Sequence, residues 1–214
     1  MKKSRIFTTV CMVALFTILL CSFSNNVFAK KLSLEKMELE LKKINHENLG
    51  IIIWDQRIQV TDRSQPESFL GYVRALVGIA YPYFPKCGMN FSDLMLEKIK
   101  NGYDKQGVSI NTITSTPFET EEQILEKIKN YNHEKVLLIK LNKLHFDGYK
   151  TYDYIEDIEL KLYDKQGERL FNKSIVEIIP LGSPAKLLKN IPIELQCIIE
   201  NALNDHELIG KIEE

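Results

Sequence analysis

The chain has 214 residues and a formal net charge of −1, with 44% hydrophobic and 27% charged residues. This composition can bury the core of one ordinary globular domain. The mildly acidic balance argues against a nucleic-acid partner, which would require a basic face.

The first 29 residues have the pattern of a secretory signal. A basic start precedes an apolar run over 6–21, and small or tolerated side chains occupy the positions before Lys30. We therefore predict cleavage between Ala29 and Lys30. Cleavage would remove three positive charges and no negative ones, so the formal net charge would fall from −1 to −4.

Two other fates of this segment stay open. The apolar run of about 16 residues is short for a stable membrane span, and an uncleaved anchor is one alternative. Lipidation at Cys21 is the other, although lipoprotein signals place a small residue before the cysteine and Leu20 is not small. The predicted location is secreted or periplasmic, with a lipid anchor at Cys21 less favoured.

Cleavage would leave two cysteines in the chain, Cys87 and Cys197. Two thiols in an oxidising compartment favour a disulfide. The bridge would close a loop of about 110 residues, for which the chain-entropy model gives about 4–5 kcal/mol. Two unrelated buried cysteines and a reactive thiol are the alternatives.

In the N-terminal half, the lead-in 30–48 mixes helical and strand periodicity, and we expect an extended or partly helical segment. A continuous apolar run predicts a strand over 49–60 that is buried on both faces. An apolar insert follows at 61–89. Helical spacing resumes over 90–106, and Gly107 suits a left-handed stop.

In the C-terminal half, a short strand is predicted over 108–115, and a capping box at Thr120 begins the next helix. Strands over 136–146, 153–163 and 169–179 then form a meander. The alternation of the middle strand places apolar residues on one face and charged residues on the other.

A last helix completes a single domain over 49–206, and a charged tail follows at 207–214. The element order is β-α-β-α-β-β-β-α. Right-handed crossovers would lay both crossover helices on one face of the sheet. We therefore predict an α/β fold, a two-layer sandwich whose mixed five-stranded sheet has its helices mainly on one face.

Two features are candidate binding sites. Asp55 and Arg57 end the first strand, at the edge where α/β folds often bind ligands. The alternative is a pair that satisfies nearby backbone groups or each other. The aromatic stretch 68–88 is either a satellite core or a partly exposed patch for a partner. Its candidate partner-binding residues are Phe69, Tyr72, Tyr81, Tyr83 and Phe84.

Motifs for catalysis, cofactors and metals are not found in the sequence, and its four histidines are scattered. We predict no catalytic residue, no cofactor and no metal site, and interpret Asp205-His206-Glu207 as a solvated helix end. The leading hypothesis is a non-enzymatic envelope protein that binds a protein or lipid partner, with peripheral or no membrane association. A secreted hydrolase or thiol enzyme using His145 or Cys87, and an exported toxin-like effector, are the alternatives.

Three segments resemble a known group of proteins. They are the first strand ending in Asp55-x-Arg57, the Phe69-Leu-Gly71 of the insert, and the meander containing YDYIEDIELKLYDKQGERLF. Over about residues 49–205 the chain resembles small envelope lipoproteins of the YajG-like kind, and it is similar in pattern to auxiliary lipoproteins of envelope transport systems. The resemblance implies a periplasmic, non-enzymatic accessory role. The chain departs from those groups in lacking a good lipidation motif, and no catalytic residues carry over.

Overall fold

The computed structural model describes residues 30–46, 48–75, 78–131 and 133–214. The predicted signal, including Ala29, lies outside them. The strands are β1 (Lys30–Leu32), β2 (Leu49–Asp55), β3 (Gly71–Arg74), β4 (Ala80–Pro85), β5 (Asn111–Ile113), β6 (Lys135–Gly148), β7 (Tyr152–Asp164) and β8 (Arg169–Gly182). The helices are α1 (Ile58–Thr61), α2 (Phe91–Lys105), α3 (Glu121–Asn130), α4 (Pro184–Leu203) and α5 (His206–Glu213).

The eight described strands form one curled sheet, a half-barrel, with the long strand β6 at its centre. The first half of β6 pairs with β2, which pairs with β5, and these three strands are parallel. The second half of β6 meets β3, which leads outward to β4 and β1. On its other side, β6 pairs with β7, and β7 pairs with β8. One flank of β6 is therefore forked, whereas the other is a continuous meander.

The predicted five-stranded sandwich is wrong in its number of strands. The meander lies close to its predicted bounds, but the lead-in adds β1 and the insert adds β3 and β4. Pro82 argues against a strand in the insert. Pro82 pairs with Tyr72 of β3 and lies just before the residues of β4 that pair with β1. On the β1 side it therefore occupies an edge position, at which a missing N–H does little harm.

Most helices lie on one face of the sheet, as predicted, but the two crossover helices lie on opposite faces, so the prediction that both share one face is wrong. α2 shares a core with Ile51 and Ile53 of β2, whereas α3 shares a core with Ile52 and Trp54 of the same strand. The chain passes from β2 through α2 to β5, and then returns through α3 past β2 to β6. Two right-handed crossovers in opposite directions place their helices on opposite faces.

α4 and α5 join the core of α2. We call this side of the sheet the inner face and the side of α3 the outer face. Residues 207–214, predicted as a charged tail, lie almost entirely in α5, where Leu208 and Ile212 are buried. The side chain of Asp205 caps this helix by accepting hydrogen bonds from the backbone N–H groups of Glu207 and Leu208.

The lead-in is non-helical from 37 to 44, and its side chains largely alternate between buried and exposed. Gly102 of α2 makes room for it, since a Cβ there would lie 3.0 Å from Leu41 Cδ1. Two backbone N–H groups of the lead-in donate hydrogen bonds to the side chains of Glu200, on α4, and Asn204, which directly follows α4. The lead-in therefore bridges two helices of the inner face, in the extended form that the sequence left open.

Candidate functional site

Asp55 and Arg57 lie where β2 and β3 diverge beside β6, a junction that we call the fork. The Arg57 guanidinium donates from Nε to Asp55 Oδ1 at 2.8 Å and from Nη2 to Asp55 Oδ2 at 2.7 Å. The two side chains are 0% and 3% exposed. This two-point contact is the strong geometry for a pair of an arginine and a carboxylate.

The other donor groups of Arg57 hold backbone of the two branches. Nη1 donates to the carbonyl oxygens of Phe69 and Leu144, at 2.6 and 3.2 Å. Phe69 precedes β3 and Leu144 belongs to β6, while Asp55 ends β2. The guanidinium also lies 4.6 Å from the centre of the Phe91 ring. The pair thus joins the strands that meet at the fork, and this geometry favours the structural interpretation of Asp55 and Arg57.

His145 is a buried side chain beside the fork. Its ring centre lies 6.4 Å from that of Phe69. Burial, and then the positive charge of Arg57, lower the pKa of His145 to about 4. The imidazole is therefore neutral throughout the physiological pH range and packs as part of the fork.

The five aromatic candidates of the insert do not form one exposed patch. Phe69 and Tyr83 are buried, whereas Tyr72, Tyr81 and Phe84 are half-buried. Tyr83 and Phe84 are consecutive in β4, so their side chains point to opposite faces of the sheet. The satellite-core interpretation therefore describes Phe69 and Tyr83. Of the half-buried residues, Tyr72 and Phe84 lie on one face of the sheet and Tyr81 lies on the other.

The two cysteines are free and exposed in the structure, so the predicted bridge between Cys87 and Cys197 is not formed. Cys87 follows β4, and Cys197 lies on α4. Burial, together with the negative charges of Glu194 and Glu200, raises the pKa of the Cys197 thiol. The prediction rested on cysteine count and compartment, and neither of these carries information about distance.

A cleft that the sequence analysis missed lies between β7, β8 and α4, with a volume of about 380 Å³. The lining side chains combine carboxylates, an amide and aliphatic groups. They include Glu156, Glu177, Asn201, Ile175, Ile179 and Ile198.

Glu156 is a carboxylate on the buried face of β7, where it lies between Tyr154 and Ile158 and is 4% exposed. Its Oε2 atom has no hydrogen-bond partner among the described residues. Burial, and then the charge of Glu177 opposite it on β8, raise the pKa of Glu156 to about 7. A signal was present in the sequence, because Glu156 interrupts the apolar series of its strand.

Lys173, the basic side chain at this cleft, has a carboxylate partner elsewhere. Its Nζ atom lies 2.6 Å from Oδ2 of Asp205, the residue that caps α5. This hydrogen bond is the main reason that the pKa of Asp205 is lowered. The charge of Lys173 is therefore directed to the end of α5 rather than to Glu156.

β8 is an edge strand of 14 residues. It pairs with β7, and no other strand in the described part of the chain pairs with its far side. On the outer face, Val176 and Ile178 are 67% and 68% exposed, and half-buried Ile155 lies opposite Ile178. We call Ile155, Val176 and Ile178 the β8 strip. A long edge with exposed apolar side chains is a template for the addition of another strand.

The described ranges contain neither a metal-binding cluster nor a membrane-spanning helix. Within them, no three histidine, cysteine or acidic side chains converge as a metal site. No helix of these ranges combines the length and the apolar character required to cross a bilayer. Asp205, part of the acidic-histidine triplet, acts as the cap of α5.

No family model matches the chain, and no curated protein matches it significantly. Among solved structures, the chain is similar to protein XCC0632 from Xanthomonas campestris, of family DUF330, with a TM-score of 0.54 and 10% identity over 86% of this chain and 96% of that one. Lipoprotein GNA1162 from Neisseria meningitidis gives a TM-score of 0.30 at 13% identity, over 74% and 99%. The PelC dodecamer from Paraburkholderia phytofirmans gives 0.39 at 8%, over 82% and 93%. The first likeness shows a shared fold, and the two lower scores carry no argument.

Proposed function

We propose that the chain is an exported, non-enzymatic accessory protein of the cell envelope that binds a protein partner along β8. Export rests on the signal pattern that precedes Lys30. The envelope location rests on the resemblance of the sequence to small envelope lipoproteins. The binding role rests on the edge strand.

The observation that carries the proposal is the combination of a free strand edge with the β8 strip. The outward N–H and C=O groups of an edge strand are able to pair with an extended segment. Val176 and Ile178, at 67% and 68% exposure, would be covered by the side chains of such a segment. A protein segment satisfies the backbone groups and the apolar strip together, whereas a lipid would cover the strip alone. We therefore favour a protein over a lipid.

Site-specific photo-cross-linking in the native envelope tests this proposal. A photoreactive amino acid in place of Ile178 is expected to give a covalent adduct with a protein. The same amino acid in place of Lys165, in the exposed turn between β7 and β8, is the control and is expected to give none. Adducts of equal yield at both positions, or adducts with lipid alone at position 178, would contradict the proposal.

A further inference from the structure

We propose that the cleft between β8 and α4 binds the cationic side chain, a lysine or an arginine, of the partner segment that pairs with β8. This inference rests on the proposed function and adds the chemistry by which the partner is recognised. It follows from the acidic groups of the cleft, from its apolar walls and from its position beside the edge strand.

The first step is the unsatisfied acceptor. Glu156 is 4% exposed, and its Oε2 atom receives no hydrogen bond from the described residues. A buried acceptor without a donor is unfavourable, and more so when it is charged. Since the side chain lines the cleft, a ligand placed there can supply the missing donor.

The second step is the doubled negative charge. Glu156 and Glu177 are direct cross-strand partners in the antiparallel ladder, so their side chains lie on the same face. Like charges in this position repel each other. An ammonium or guanidinium group between them would replace one repulsion with two charge-assisted hydrogen bonds. Lys173 does not have this role, because its Nζ atom is bound to Asp205.

The third step is the shape of the ligand. Ile175, Ile179 and Ile198 provide aliphatic walls next to the carboxylates. Lysine and arginine have an apolar stem and a charged tip. The stem would pack against the aliphatic walls of the cleft, and the tip would reach its carboxylates. The volume of about 380 Å³ is ample for one such side chain.

The fourth step is the register of an added strand. Its side chains would alternate between the two faces of the sheet. Those on the outer face would cover the β8 strip, and those on the inner face would point to the side where the cleft lies. The partner segment is therefore expected to alternate apolar residues with positions at which a lysine or arginine occurs.

The probe for this site is the blocked amino acid Nα-acetyl-lysine N-methylamide, followed through the methyl NMR signals of Ile175, Ile179 and Ile198. We expect saturable shifts with this probe. Its norleucine analogue, which has a similar stem and no charge, is expected to give no comparable shifts. Glu156→Gln keeps the shape of the side chain, and we expect it to weaken the binding of the lysine probe about tenfold, the effect of losing one charged hydrogen bond.

Glu168→Gln is the matched control, because it removes a carboxylate from the exposed turn of the same hairpin. It is expected to leave the affinity unchanged. Equal binding of the norleucine analogue, or equal affinity in the Glu156→Gln protein whose spectrum shows it to be folded, would overturn the inference.

The two proposals fail in different ways. If position 178 cross-links to a protein but the lysine probe does not bind, the inference about the cleft is overturned and the binding role of β8 stands. If the probe binds through Glu156 but position 178 gives no protein adduct, the partner segment is overturned as the source of the cation, together with the proposed function.

Discussion

The fork and the cleft each bury a carboxylate beside a second charged group, and they treat it in opposite ways. At the fork, Asp55 receives two hydrogen bonds from Arg57, whose Nη1 atom also binds two carbonyl oxygens. In the cleft, Glu156 faces Glu177, and its Oε2 atom has no partner within the described chain. The protein thus supplies the hydrogen-bond donors for Asp55, whereas the described residues supply none for Oε2 of Glu156.

This difference separates structural charges from candidate binding charges. Burying an ion is costly unless hydrogen bonds and an opposite charge compensate for it. Where the protein supplies that compensation, as at Arg57, the ion holds strands together. Where it does not, as at Glu156, an external group can supply it. Asp55 was a candidate because it lies at the carboxyl end of a strand. That position alone does not distinguish a structural charge from a binding charge.

The largest expected effect is the loss of the ion pair at the fork. Arg57→Leu would leave Asp55 buried and unpaired and would remove the donors to two carbonyl groups. We expect the free energy of unfolding to fall by about 3–5 kcal/mol, as measured by urea denaturation. Arg74→Leu is the control, because its pair with Asp147 is 40% and 25% exposed and is expected to contribute less than about 1 kcal/mol. Equal losses in the two variants would refute the structural role of the fork.

The second prediction concerns the cleft, where we expect a substitution to increase stability rather than to reduce it. The pKa of folded Glu156 is about 7 against an ordinary 4.5, so the folded state binds this proton more tightly. Its contribution to stability is complete below about pH 4.5 and is lost as the pH rises through 7. Glu156→Gln should remove this loss and make the protein more stable than the wild type at pH 8, by on the order of 2–3 kcal/mol.

Urea denaturation of both proteins between pH 4 and pH 9 measures the effect. The difference between them should grow with pH, whereas Glu168→Gln should follow the wild type. A Glu156→Gln protein that is less stable than the wild type at pH 8 would mean that the carboxylate is already compensated, as Asp55 is.

The third prediction separates binding from stability at the edge strand. The double variant Val176→Ser/Ile178→Ser removes exposed side chains, so we expect a change in unfolding free energy below about 1 kcal/mol. Cross-linking from the neighbouring position 174 should nevertheless be lost. Leu188→Ser/Ile193→Ser, at 51% and 48% exposure on α4, is the matched control and should leave cross-linking intact. A large loss of stability in the β8 variant would show that the strip belongs to the core.

The smallest expected effect involves the thiols and leaves the fold unchanged. Because Cys87 and Cys197 are free and exposed, both should be alkylated by iodoacetamide without reductant. Alkylation of Cys197 should be slower than that of free cysteine at the same pH, since burial and nearby carboxylates raise the pKa of its thiol and reduce its thiolate fraction. Intact-mass measurement follows the two additions. If both thiols were protected from alkylation until reductant was added, the predicted disulfide would be present after all.

Much of the fold is predictable from local pattern. The capping box at Thr120 is present as expected, and Gly107 has the positive φ of 72° that follows the end of α2. The strands of the insert are harder to predict, because β3 and β4 are short and β4 contains two prolines, which a strand tolerates only where their missing N–H groups are not needed for pairing. The side on which a crossover helix lies is also not local, since it depends on the direction of strand addition.

The candidate sites were less predictable. The contacts of Arg57 with Phe69 and Leu144 are formed only when distant segments meet at the fork. Glu156 did carry a local signal, as a charged residue among apolar alternate positions. Its pairing with Glu177 depends on the register of β7 with β8, which the sequence alone does not give.

The contrast between the two regions is tested most directly by titrating the Glu156 side-chain carboxyl carbon by NMR, first alone and then with saturating Nα-acetyl-lysine N-methylamide. The account predicts a midpoint near pH 7 for the free protein, because burial and Glu177 disfavour the charged form. It also predicts a fall in that midpoint when the cationic probe binds, because an opposite charge favours ionisation. A midpoint near the ordinary 4.5 in the free protein, or one that the probe leaves unchanged, would contradict it.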